Sequence, residues 1–101
     1  MQYKAIIFVF SILFASGVLA DAEAGKEKAA MCMACHGLEG ISNTDMWPNL
    51  AGQKRGYLIA QIKAYKSGVR KDPMMLPMVK ALSEDDIKNI ADYYSSLRPE
   101  Y

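Results

Sequence analysis

The sequence predicts an all-α domain: three main helices joined by loops. Two stretches, 54–66 and 83–97, repeat apolar residues at helical spacing, and a third, 21–32, is built from strong helix formers. No convincing strand interrupts them. At 101 residues the chain has room for one domain.

The first twenty residues read as an export signal rather than as part of that domain. Lys4 is their only charge, Ala5 to Phe14 is an almost wholly apolar run, and Val18-Leu19-Ala20 offers a small-residue cleavage site. The expected division is a signal peptide over 1–20 and the folded domain over 21–101. An uncleaved anchor is the alternative, although the uncharged span 5–20 is shorter than the ~20 residues a membrane helix needs. The remaining 81 residues carry eleven Lys plus Arg (twelve less Lys4) against eleven Asp plus Glu. That neutrality gives no basic surplus for nucleic acid and little long-range steering of a partner.

Asp21 to Cys32 is rich in Ala, Glu and Lys, with acids near the start to suit the positive end of the helix dipole. Gly25 inside this helix costs about 1 kcal/mol relative to Ala. Fraying near a terminus would explain it, and so would close approach by another helix; the second is preferred, with Tyr93 or Tyr94 as the group laid across the bare backbone. Gly37 and Gly40 end the helical run.

Cys32-Met33-Ala34-Cys35-His36 is the most informative stretch. Two thiols three positions apart lie one helical turn apart, so both can add to vinyl groups on one edge of a porphyrin. The imidazole that follows at once is placed to reach the metal from the face those thioethers fix, and the pattern reads as a c-type haem attachment. Zinc would need about four ligands, and two Cys and one His are all the chain offers. A thioredoxin-type pair belongs in a strand–helix context, and a plain disulfide would leave His36 unexplained. A domain this small, exported and without a disulfide framework, needs a staple, and a buried covalent haem would be one.

Residues 38–53 read as loop, rich in Gly, Ser, Asn and Asp. Trp47 beside Pro48 is expected to be a core anchor, or else to shield one edge of the haem. The second helix, Lys54 to Lys66, carries Leu58, Ile62 and Tyr65 at i, i+4 and i+7, with Tyr57 and Ala64 widening the stripe. Its Lys and Arg residues read as a solvated face, and Gly68 closes it.

Between Val69 and Leu82, Pro73 and Pro77 rule out a continuous helix. They punctuate three methionines, Met74, Met75 and Met78. Met is usually adaptable core filler, but an iron held by His on one side takes a thioether readily on the other, which raises its potential relative to bis-His ligation. The last helix opens at Ser83 with an acid, Asp86, at its third position, much like a capping box. Its apolar stripe is Ile87, Ile90, Ala91, Tyr94 and Leu97, and Pro99 stops it.

These landmarks together resemble the small bacterial class I cytochromes c, and one half of the di-haem cytochromes built from two such units. The likeness runs over Asp21 to Leu97, through Cys32–Gly37, Trp47–Gln53, Tyr57-Leu58, Met75–Met78 and Leu82–Ile87. It implies the cytochrome c fold, wrapped around one covalent haem c. Cys32 and Cys35 would carry the thioethers and His36 the proximal iron bond, and the Pro48 carbonyl would fix the imidazole. The distal Met lies seven residues before the Leu that precedes the last helix, which points to Met75, with Met78 and Met74 as rivals. The implied function is periplasmic electron transfer between redox proteins, one electron at a time, with no catalytic residue and no stable membrane insertion. The chain would act as a monomer or as a subunit of an oxidoreductase. A permanently bound subunit of a larger dehydrogenase is the alternative, and a haem peroxidase or gas sensor a more distant one. Met31, Met33, Leu76 and Met78 are expected to form an apolar collar at the haem edge.

Overall fold

The structure is a computed structural model, and it describes residues 4–7, 9 and 16–99. Most of the expected signal's apolar run, 10–15 with 1–3 and 8, lies outside the described residues. Among the described residues five α-helices form: α1 Ser16–Lys28, α2 Met33–His36, α3 Arg55–Ser67, α4 Met75–Val79 and α5 Glu84–Ser96. A 3-10 turn over Ala29–Cys32 joins α1 to α2. Among the described residues there is no strand. The three main helices match the sequence expectation, with two differences in detail. The first starts at Ser16, ahead of Asp21, and tightens after Lys28. A short helix also forms in the methionine segment, where none was expected.

Helices α1 and α5 make the most extensive pair, and α3 packs on α5 as well. Gly25 permits the first contact. A methyl group there would overlap the main-chain carbonyl of Asn89, so the two helix backbones meet without a side chain between them. The close approach expected at Gly25 is therefore made by α5, but by its backbone at Asn89 and Ile90 and not by a tyrosine ring. Ile87, Ile90, Ala91, Tyr93 and Tyr94 of α5 are buried together with Ala29, Leu58, Val79 and Leu82. Each large apolar side chain in such a core contributes about 1.5–3 kcal/mol.

Ser83 caps α5 as its sequence suggests. Its hydroxyl accepts from the Asp86 N–H at 3.0 Å, and the Asp86 carboxylate accepts from the Ser83 N–H at 2.9 Å. Lys28 of α1 reaches the same carboxylate at 3.7 Å. The cations of α3 are less free than a solvated face implies. Arg55 pairs with Asp92, Lys63 with Glu84 at 2.9 Å, and the Lys66 ammonium donates to the Leu82 carbonyl. Tyr57 points outward instead of widening the apolar stripe.

Pro77 sits at the third position of α4. A helix tolerates proline in its first turn because the missing N–H would have had no partner there. The two prolines therefore limit α4 to five residues without preventing it.

Candidate functional site

The Cys32–His36 stretch is held at the junction where the 3-10 turn gives way to α2. Cys32 and Cys35 are half-buried and unpaired. Burial raises the Cys32 thiol above its ordinary pKa, an effect partly offset by the neighbouring Tyr94 hydroxyl and reinforced by Cys35. Among the described residues no three His, Cys, Asp or Glu side chains converge on one point.

His36 is buried although polar. Its Nδ1 lies 2.7 Å from the Pro48 carbonyl oxygen. A carbonyl can only accept, so Nδ1 is the protonated nitrogen. In the neutral ring this leaves the lone pair on Nε2, the arrangement a metal-ligating histidine requires.

The two ends of the loop that presents Pro48 are fixed by backbone hydrogen bonds. Gly37 and Gly40 turn the chain with positive φ, 91° and 76°. The Gly40 carbonyl accepts from Leu50 N–H at 2.8 Å and Ala51 N–H at 3.0 Å, and Gly52 N–H donates to the Tyr94 carbonyl at 2.8 Å. Trp47 is half-buried and lines a surface depression with Ser42 and Asn49. It is not packed on the hydrophobic cluster. The core-anchor expectation is thus corrected: the turn-rich loop holds the indole outside the helical core.

The three methionines separate clearly. Met74 and Met78 are 56% and 42% exposed, whereas Met75 is half-buried and packs on the same cluster as Cys32 and Met33. Asp72 holds the start of α4. Its Oδ1 accepts from Met74 N–H at 2.8 Å and Met75 N–H at 3.1 Å. Sequence reasoning missed Asp72, although an Asp whose side chain bonds the backbone two residues on is a known turn device. It also missed the Tyr94 hydroxyl, which is buried with no hydrogen-bond partner and lies beside the Cys32 sulfur.

The family model for cytochrome c matches residues 22–98. Cytochrome c-554(548) of Halomonas halodenitrificans is 48% identical over 79 residues, covering 75% of this chain and 95% of that protein. Cytochrome c4 of Stutzerimonas stutzeri is 42% identical over 85 residues, but only 40% of its length is covered. The crystal structure of reduced recombinant cytochrome c4 from Pseudomonas stutzeri superposes with a TM-score of 0.73 at 41% identity, over 76% of this chain and 45% of that one. The chain therefore spans nearly all of one relative and less than half of the cytochromes c4.

Haem c, a porphyrin iron bonded through two cysteines, is the cofactor of this family. The residues present fit it: two unpaired thiols one turn apart, an imidazole with its lone pair on the outer nitrogen, and a thioether on the same core as Cys32. The match over 22–98, the shared helical fold and the Cys32-Met33-Ala34-Cys35-His36 motif lead to one conclusion: this chain belongs to the cytochrome c family, as a class I cytochrome equivalent to one half of the di-haem cytochromes c4.

Proposed function

We propose that the chain is a periplasmic electron carrier in which Cys32 and Cys35 bond the haem, and His36 and Met75 hold its iron from opposite sides. The observation that carries this reading is the 2.7 Å contact between His36 Nδ1 and the Pro48 carbonyl, which leaves the lone pair of the neutral ring on the other nitrogen, as a metal ligand requires. The haem supplies a one-electron iron couple. The chain's own residues supply the constancy that fast exchange needs. Pro48 keeps the imidazole in one tautomer and one orientation, and a neutral thioether from a half-buried Met75 suits either charge on the iron. The protein transforms no substrate of its own.

Met31, Leu76 and Met78 are 47%, 40% and 42% exposed, which suits an apolar collar, while Met33 turns inward to the core. A small patch of this kind fits brief redox encounters. An export signal over 1–20 supports the periplasmic assignment, and no helix among the described residues is long and apolar enough to cross a membrane. A second reading is favoured by two relatives named as thiosulfate dehydrogenase electron acceptors, 39% identical over 77 and 69 residues. On that reading one partner is a dehydrogenase, whose electrons this chain accepts either as a separate protein or as a permanently bound subunit.

The test is the optical spectrum of the mature protein made beside a working haem-ligation system, with and without Met75→Ala. A sulfur-to-iron band in the oxidised parent that vanishes in the variant supports the ligand set. A colourless folded protein refutes the whole reading, and carbon monoxide binding by the reduced parent would favour a sensor. Co-purification with a dehydrogenase would separate the bound subunit from the shuttle.

A further inference from the structure

We propose that Asp72 is the positioning residue that selects Met75, among the three neighbouring thioethers, as the one presented to the iron. This rests on the reading of Met75 as axial ligand given above.

The argument begins with the backbone at the start of α4. A helix leaves its first four N–H groups without partners inside the helix. Here those groups belong to Met74, Met75, Leu76 and Pro77, and Pro77 has none to offer. Asp72 satisfies all three of the others. Its Oδ1 takes Met74 N–H at 2.8 Å and Met75 N–H at 3.1 Å, and its main-chain carbonyl takes Leu76 N–H at 3.1 Å. One residue therefore fixes the whole first turn, and no orphan donor is left over.

That turn decides which sulfur faces inward. Met75 is half-buried against the core, while Met74 and Met78 on either side are exposed. A rotation of α4 about its axis would exchange them. Apolar packing resists such a rotation weakly, because methionine adapts readily to a new surrounding. Two charge-assisted bonds to adjacent N–H groups resist it strongly, since both are directional.

The anchor is itself anchored. Pro73 fixes the backbone immediately after Asp72. Arg70, two residues before it, donates its N–H to the Ala64 carbonyl at 3.0 Å, places its guanidinium 4.5 Å from the centre of the Tyr65 ring, and bonds Gln61 at 2.7 Å. The segment leaving α3 is thus fixed before Asp72 turns it into α4. Composition adds an independent sign. Between residues 46 and 83 Asp72 is the only carboxylate among seven Lys and Arg. A lone acid so placed would be drawn toward any of those cations, yet its Oδ1 is spent on the backbone of the methionine turn.

The experiment uses the full haem-loaded protein and compares Asp72→Ala, Asp72→Glu, Asp72→Asn and Met75→Ala. Three quantities are read: the sulfur-to-iron band of the oxidised form, the affinity of that form for added imidazole, and the exchange protection of the Met74 and Met75 amides. Asp72→Ala is expected to weaken the band and raise imidazole affinity about tenfold or more, the scale of one charge-assisted hydrogen bond. Both amides should exchange faster. Asp72→Asn keeps a carbonyl oxygen in place and should restore most of the effect. Asp72→Glu keeps the charge but displaces the oxygens by a methylene, so it should behave like the Ala variant; it also serves if the Ala variant fails to hold haem. Parental imidazole affinity in both Asp72→Ala and Asp72→Glu, with tight binding in Met75→Ala, overturns the proposal and leaves Met75 as ligand. A band that survives in Met75→Ala removes the ligand assignment itself, and the proposal with it.

Discussion

The Cα of Gly25 in α1 lies directly against the main-chain carbonyl of Asn89 in α5. No side chain fits between the two helices at that point, and their packing puts Ile87, Ile90 and Tyr94 into the core that also carries Cys32 and Met75.

Gly25→Ala pits a local gain against a larger loss. Helix propensity favours Ala by about 1 kcal/mol. The added methyl overlaps backbone, which cannot rotate away, and overpacking of this kind costs about 1–3 kcal/mol or more before that gain is counted. A net loss of stability is expected in guanidinium unfolding of the haem-bound protein. A variant as stable as the parent would show that the helices can part without cost.

Removing the Ser83 hydroxyl with Ser83→Ala is expected to cost about 1 kcal/mol, the usual value of an N-cap. The same box makes a pH prediction. Asp86 has its carboxyl held below the usual range chiefly because it accepts the Ser83 N–H, with Lys28 adding to the effect. A carboxylate depressed on folding stabilises fully above its unfolded pKa of about 3.9, and that contribution fades as pH falls below this toward the depressed value. Acid unfolding followed by circular dichroism should therefore show a shallower slope in Asp86→Asn than in the parent below about pH 4.

Tyr94→Phe removes a buried hydroxyl that has no hydrogen-bond partner. Leaving such a group unsatisfied costs about 1–3 kcal/mol, so its deletion should leave thermal stability unchanged or raised. A fall of more than about 1 kcal/mol would mean that the hydroxyl gains real strength from the Cys32 sulfur beside it.

Arg55→Ala breaks the ion pair with Asp92, whose partners are 49% and 18% exposed. Pairs near the surface are worth roughly 0–1 kcal/mol. The unfolding midpoint should move little, and less still in high salt. A large loss would assign the α3–α5 contact to electrostatics instead of to Leu58 and its apolar neighbours.

Much of this molecule is legible before any coordinates. The Cys32–His36 motif carries its own spacing, the Ser83 box is spelled within four residues, and Gly25 stands out in a run of helix formers because it has no local reason to be there. What stays hidden depends on groups brought together from afar. That Arg55 and Lys63 pair with Asp92 and Glu84 follows only from how α3 packs on α5. Trp47 looks like a core residue by type, yet its loop holds it outside. The helix at Met75–Val79 is masked by Pro77, which forbids a helix in its interior but not in its first turn. Among the three methionines the count back from Leu82 already points to Met75; what only the fold adds is that Met75 packs on the core while Met74 and Met78 stay exposed.

The stitching around Pro48 uses peptide groups at every point named above, from the Gly40 carbonyl to the Gly52 N–H. Those peptide-group hydrogen bonds tie the two ends of the loop. Between them the chain is pinned by side chains: Asn49 Oδ1 accepts from Ser42 N–H at 2.7 Å, the Ser42 hydroxyl donates to the Thr44 carbonyl at 2.9 Å, and Thr44 Oγ1 accepts from Met46 N–H at 2.8 Å. A mutational map of the protein should therefore look banded here, permissive at Asn43 and Asp45 and less tolerant at Ser42, Thr44 and Asn49.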